Sequence, residues 1–304
     1  MNGSVAVQSV SIEGDGSIVA FKPNEQSEVT LKDLARGKVD IPWAEQWIMK
    51  SRDHHRRYQI LVARPPEAPP PAGFPVIYLL DANSVFGTMV EAVRLQSRRP
   101  DKTGIVPAVI VGIGYPVDGP FAPERFYDLT PAATKEYLNR ADSTPLPEQG
   151  GAAHFLKFIE EELKPQIEDE FPVDRSRQTI FGHSLGGLFV LYALFAKPHA
   201  FQSYIAGSPS LHWNESFLLE AEREFAKGWQ PEANRIELLL GVGEMEKTHV
   251  SRNCDRALAL SERLAALSGR GLDVEYKEFE GEGHVSVLPV LISRALRLAL
   301  RPKP

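Results

Sequence analysis

The sequence predicts an α/β fold: a mostly parallel central sheet, helices on both faces, and long loops over the carboxyl edge of the strands. Two observations carry this. Short, continuously apolar runs recur, among them PVIYLLD (75–81), VPAVIVGIGY (106–115) and RIELLLGVG (235–243), as a strand buried on both faces requires. Between them lie longer stretches with helical patterning, and that alternation marks βαβ units. Crossovers in such sheets are right-handed and ligands sit beyond the carboxyl ends of the strands, so chemistry is expected there.

Taken in order, residues 1–43 read as an N-terminal extension, polar with short β-like pieces (SVAVQSVSI, SIVAF), and residues 44–304 as one catalytic domain. AEQWIMK (44–50) and RRYQILVA (56–63) are strand candidates joined by a polar turn around Asp53–Arg56. A Pro-rich linker, RPPEAPPPAGF, leads into the run at 75–81, which a helix-like NSVFGTMVEAVRLQS follows. After the run at 106–115 come an amphipathic stretch (154–171), a strand RQTIFGHS and a helix LGGLFVLYALF. QSYIAGS, RIELLLGVG and DVEYKEFEG complete the strands, with helices at 249–268 and 285–300. Segments 116–153 and 209–234 are long for plain connections, and both leave the carboxyl edge, so they are expected to wall or cover the site.

Composition narrows the function. Among 304 residues, 43% are hydrophobic and 24% charged, which excludes a disordered or collagen-like chain. Thirty-four Lys and Arg against 40 Asp and Glu give a formal charge of −6, which does not suit a nucleic-acid binder. The single cysteine, Cys254, excludes an intrachain disulfide scaffold. No basic-then-apolar leader opens the chain, and no segment approaches the ~20 apolar residues that span a bilayer. A cytoplasmic enzyme without a membrane partner, acting on a small molecule, is the expectation.

Gly182-His183-Ser184-Leu185-Gly186 fits G-x-S-x-G. The bare pattern is weak, since a random chain of this length holds one roughly one time in ten. Its setting between a strand-like QTIF and a helix-like LGGLFVLYALF is what a nucleophile elbow demands, although a glycine-rich packing turn would look similar. Ser184 is thus the candidate nucleophile, and the Leu185 amide, opening the next helix, a candidate oxyanion donor. His284 follows the last strand, in EFEGEGHVSV, and satisfies the order serine, acid, histidine. His183 is adjacent to the nucleophile, and the tight turn is expected to aim it elsewhere. Glu244 is the first carboxylate past RIELLLGVG and the favoured acid, with Glu246, Glu280, Glu282 or no acid at all as alternatives. The second oxyanion donor is placed after PVIYLLD, at Ala82 or Asn83, with the Asn83 amide favoured; the Asn83 side chain could also cap a helix.

Other signals are weaker. Gly112-Ile-Gly114 and Gly241-Val-Gly243 do not complete a dinucleotide fingerprint, and neither H-E-x-x-H nor paired cysteines occur, so no cofactor and no metal are called for. Arg94, Arg98, Arg99 and Lys102 read as a solvated helix end. Arg125 is better placed to meet a substrate, unless it only pairs with Glu124 or Asp128. Trp213, in SPSLHWN, either lines a pocket or packs under the second long segment.

PVIYLLDANSVF, AVIVGIGYP, IFGHSLGGLFVLYALF, AGSPSLHWN, GVGEMEK and FEGEGHVSVLP together resemble the esterase-D-like α/β-hydrolases, in the branch of siderophore esterases that cut enterobactin- and salmochelin-type trilactones. The resemblance covers about residues 44–300. It implies an α/β-hydrolase fold and a serine esterase working through an acyl-serine, with nucleophile Ser184, base His284 and oxyanion amides at Asn83 and Leu185. Asp81-Ala82-Asn83 stands where many relatives have Asp-Gly-Asn, and the acid varies in this branch. A general carboxylesterase, a feruloyl-type esterase, an acyltransferase and a non-catalytic binding protein on the same scaffold are the alternatives.

Overall fold

Strand β3 (Phe74–Leu80) is buried at every position, as are β4 (Val109–Gly114) and β6 (Ser203–Gly207), so unbroken apolar runs sit where both faces of a sheet are covered. The computed structural model describes residues 39–53, 55–134, 144–230 and 235–302. The β-like pieces read in residues 1–38, and His54, lie outside these. By its contacts the chain divides into Met1–Asp40 and Ile41–Pro304, and the site lies wholly in the second unit.

The sheet has eight strands in the order β1-β2-β4-β3-β5-β6-β7-β8. The others are β1 (Ala44–Lys50), β2 (Arg57–Ala63), β5 (Val173–His183), β7 (Ile236–Gly243) and β8 (Leu272–Phe279). β1 and β2 form a hairpin that joins β4 antiparallel, and every pairing from β4 to β8 is parallel. The carboxyl ends of β3 to β8 therefore share one edge.

Helices α1 (Ala82–Gln96) and α2 (Pro100–Thr103) follow β3, and α3 (Arg125–Asp128) interrupts the segment after β4. α4 (Ala152–Phe158) runs into α5 (Lys164–Glu170) through a π-type turn at Ile159–Leu163. Pro165 explains that turn: it has no amide to donate and its ring crowds the carbonyl four residues back. α6 (Leu185–Ala196) starts at the elbow and is buried on nearly all sides. α7 (Glu215–Gly228), α8 (Asn253–Ala265) and α9 (Val287–Ala299) complete the layers. Two core clusters flank the sheet, one with α4 to α8 and one with α1 and α9.

The segment 209–234, expected as a loop over the site, is mostly helix: a 3₁₀ turn, Leu211–Asn214, then α7, whose start the Asn214 side chain caps by accepting from the Phe217 amide. α7 and α8 are joined by Arg256–Glu215 and Arg263–Glu222 forks. Arg94 and Arg99 pair with Glu91 and Asp101 on the surface.

Candidate active site

Ser184 stands between β5 and α6 with φ 59° and ψ −118°, a conformation that a side chain adopts only when its surroundings impose it. They do so here. The Ser184 amide donates to the Gly207 carbonyl (2.9 Å), and the Ser184 carbonyl accepts from the Leu188 and Ser210 amides. At Gly182 a Cβ would stand 2.3 Å from the Gly186 carbonyl oxygen, so this close approach tolerates only glycine. Ser184, Leu185 and His284 line one cavity of about 620 Å³ at the carboxyl edge. Leu185 is the first residue of α6, so its amide lacks an intrahelical acceptor.

His284 lies in the turn after β8. Its Nδ1 meets Glu246 Oε2 at 2.8 Å. Glu246 is buried, and its other oxygen accepts from Ser208 Oγ (2.6 Å) and from the Gly243 amide (2.9 Å). Burial alone would raise the Glu246 pKa, but hydrogen bonds from His284, Ser208 and Gly243 outweigh it and hold the carboxyl below its usual range. An ionised Glu246 accepts from His284 Nδ1 and so keeps that ring's proton there, leaving Nε2 without one.

Of the carboxylates offered by the sequence, the structure sets Glu246 and not the favoured Glu244 against His284. The residues after β7 form a 3₁₀ turn, Glu244–Thr248, in which Glu246 folds back to the Gly243 amide while Glu244 Oε2 accepts from the Gly281 amide at 3.0 Å. Glu282 enters through its backbone, its carbonyl accepting from the Met245 amide.

The Asn83 side chain does not cap α1. Asp81, not Asn83, precedes α1, and it sits in the left-handed region at φ 51°. The Asn83 side chain ties the α1 start to the end of β4: Nδ2 donates to the Tyr115 and Val117 carbonyls, and Oδ1 accepts from the Tyr115 amide. Its backbone amide, second in the helix, also lacks an intrahelical acceptor.

Arg125 borders the cavity, but its charge is matched. Its Nε and Nη2 form a fork on the Asp81 carboxylate at 2.8 and 2.7 Å, and Phe121 lies over the guanidinium. Burial works against the charge, yet Asp81 holds the Arg125 pKa above its ordinary value. An unmatched cation facing a ligand is not what the structure presents. Trp213 lines the cavity, and it packs on Phe126 (5.7 Å) and donates from Nε1 to Gln149 Oε1, both in the first long segment and not the second.

Three residues escaped the sequence reading. Ser208 donates to the Glu246 carboxylate. The Ser210 hydroxyl lies 3.3 Å from the Ser184 hydroxyl. Asp128 anchors α3 by accepting from the Tyr58 and Tyr115 hydroxyls.

The description "Putative esterase" belongs to a family model that matches residues 51–287, spanning this constellation. The chain belongs to that esterase family. The esterase is 57% identical over 263 residues to the ferri-bacillibactin esterase BesA of Bacillus subtilis, a match covering 86% of this chain and 91% of that protein. It is 38% identical over 247 residues to the siderophore enterobactin esterase of Emericella nidulans, covering 71% and 79%. Among solved structures, the BES protein of Bacillus cereus superposes with a TM-score of 0.82 at 42% identity, covering 88% of this chain and 99% of that one. The fold is that of the α/β-hydrolases, and the enzyme acts on ester bonds. Among the described residues no group of three or more His, Cys, Asp or Glu side chains could hold a metal, and no helix is long and apolar enough to cross a membrane.

Proposed function

We infer that this enzyme hydrolyses siderophore-type trilactone esters through an acyl-serine at Ser184. The observation that carries the serine mechanism is the Glu246–His284 pair, locked at 2.8 Å, whose imidazole opens into the same cavity as the strained Ser184 elbow. The substrate class rests on the relatives named for ferri-bacillibactin and enterobactin.

In this mechanism His284 Nε2 takes the Ser184 proton as Oγ attacks the ester carbonyl, and Glu246 stabilises the imidazolium. The Leu185 and Asn83 amides receive the oxyanion, each such donor being worth about 10²–10³ in rate. The imidazolium returns its proton to the leaving alcohol, an acyl-serine remains, and water repeats the sequence. No cofactor enters. Arg125 holds the Asp81 turn, which precedes the oxyanion loop, and Trp213 lines the same cavity, packed on Phe126. A single buried cysteine suits a reducing compartment, and the cytoplasm is the proposed place of action.

A panel of ferric and iron-free siderophore triesters, short p-nitrophenyl esters and aryl esters tests the reading. Turnover of the triesters is expected, and a fluorophosphonate should label the native chain but not Ser184→Ala. Brisk turnover of simple esters alone would make the protein a general carboxylesterase.

A further inference from the structure

The histidine in front of the nucleophile has no part in the mechanism above, yet it makes one of the shortest contacts in the site. His183 ends β5, and its Nε2 lies 2.6 Å from the main-chain carbonyl of His284. A carbonyl only accepts, so Nε2 carries the proton and donates. The two imidazoles stand with centroids 4.7 Å apart. The geometry points to His183 as a positioning residue for the reaction: its Nε2–H fixes the backbone of His284, and with it the separation of base and nucleophile. The inference rests on the reading of Ser184 and His284 as that pair.

The chain is arranged to permit this contact. β5 and the His284 turn are separated by β6 and β7, and in register His183 pairs with Gly207 and Gly207 with Gly241. A Cβ at Gly207 would lie 3.3 Å from His183 Cδ2 and 2.4 Å from Leu291 Cδ2, and one at Gly241 would lie 2.4 Å from Leu291 Cδ1. In this register both intervening strands therefore present glycine. The His183 ring rests against Gly207, and Leu291 of α9 packs against both glycines. Glycine at these two register positions is the sequence feature that leaves room for the bond.

The donor is also electrically quiet. Burial, and then the neighbouring His284, push the His183 pKa down to about 4, with the bond to the carbonyl offsetting part of this. A neutral His183 puts no second positive charge beside His284 when that ring takes the nucleophile's proton. Glu246 sets the tilt of the base ring through Nδ1, and His183 sets where its backbone stands. Both matter, because a displacement of about 1 Å at a reacting group can cost about 10²-fold in rate.

Two replacements separate the donor from the ring. His183→Gln places an amide N–H near the position of Nε2, whereas His183→Phe keeps the ring packing and removes the donor. On a p-nitrophenyl ester, His183→Gln is expected to keep kcat within about 3-fold, and His183→Phe to lose about 10- to 100-fold in kcat with KM changed by less than about 3-fold. Wild-type kcat in the Phe variant, or equal losses in both variants, would overturn the role. A measurement on the unaltered enzyme stands independently of how the variants fold. Nitrogen-15 histidine spectra at pH 7 should show His183 neutral and protonated on Nε2, and an Nδ1–H tautomer would refute the bond outright. Ser184→Ala run alongside isolates the underlying reading: an active alanine variant would remove the nucleophile while leaving the tautomer result untouched.

Discussion

The two sides of the cavity hold their buried carboxylates in opposite ways. On the strand-end side, Glu246 accepts from an imidazole, a hydroxyl and a backbone amide, and these bonds outweigh burial and keep it ionised. On the side built from the segment after β4, Asp128 accepts from two phenols, with the Arg56 guanidinium 3.7 Å away. There burial dominates, opposed by Arg56 and the two tyrosine hydroxyls, and the Asp128 pKa is pushed up to about 6. Asp128 is the more completely buried, at 1% exposure against 7% for Glu246, and it accepts from two donors where Glu246 accepts from three. Desolvation wins at the first carboxylate and hydrogen bonding at the second. One carboxylate is held as an anion, the other is shifted toward its protonated form.

The comparison can be broken most severely at the chemical side. Ser184→Ala and His284→Ala should each lower kcat by at least about 10⁴, because such residues act as a unit. Glu246→Gln should lose about 10²–10⁴ in kcat, since the amide no longer fixes the imidazole tautomer, while Glu244→Gln should stay within about 2-fold. Steady-state kinetics on one activated ester checks both, and the reverse ranking would return the acid to Glu244.

The wall side should respond first in stability. Arg125→Ala leaves Asp81 buried without its partner, an expected cost of about 3–5 kcal/mol in chemical denaturation. Because Asp81 precedes the oxyanion loop, kcat should fall on neutral and anionic esters alike. A loss confined to an anionic ester would instead make Arg125 a substrate contact.

The smallest effect concerns pH. With Asp128 raised to about 6, the folded chain holds a proton that the unfolded chain has released between about pH 4 and 6. That contribution to stability is full below about pH 4 and is lost as pH rises through 6. Glu246 runs the other way: its contribution is present above the ordinary carboxylate range and disappears as pH falls through its lowered pKa. Melting temperatures between pH 4 and 7 should therefore decline less steeply with rising pH in Asp128→Asn than in the parent. Parallel curves would mean that Asp128 titrates normally.

Much of this was legible beforehand because it depends on local pattern. Buried strands announce themselves by unbroken apolar runs, and the Ser184 elbow by two glycines set between strand and helix. The acid was harder to read. Counting forward from β7 reaches Glu244 first, but a 3₁₀ turn sends 244 and 246 in different directions, which spacing along a chain does not reveal. A usable signal was present: a carboxylate three residues after Gly243 can reach back to that residue's amide, as at a helix start. The pairing of Arg125 was hidden for a related reason. Its partner, Asp81, lies 44 residues away, and only the register of β3 beside β4 brings them together. Ser208 and His183 gave no signal, because their roles exist only across strands.

The last strand of the sheet has a consequence of another kind. Among the described residues β8 is the last strand of the sheet, and an edge strand is a template on which a foreign strand could add. Its sequence, LDVEYKEF, puts charge at half its positions. Asp273, Glu275 and Glu278 are engaged by Arg235, Arg294 and Lys247. A second chain docking along this rim would have to strip water from those paired charges and from Lys277 before gaining a single backbone bond. The rim beside the base is thereby protected against edge-to-edge aggregation, and it keeps this protection however crowded the surrounding solution becomes.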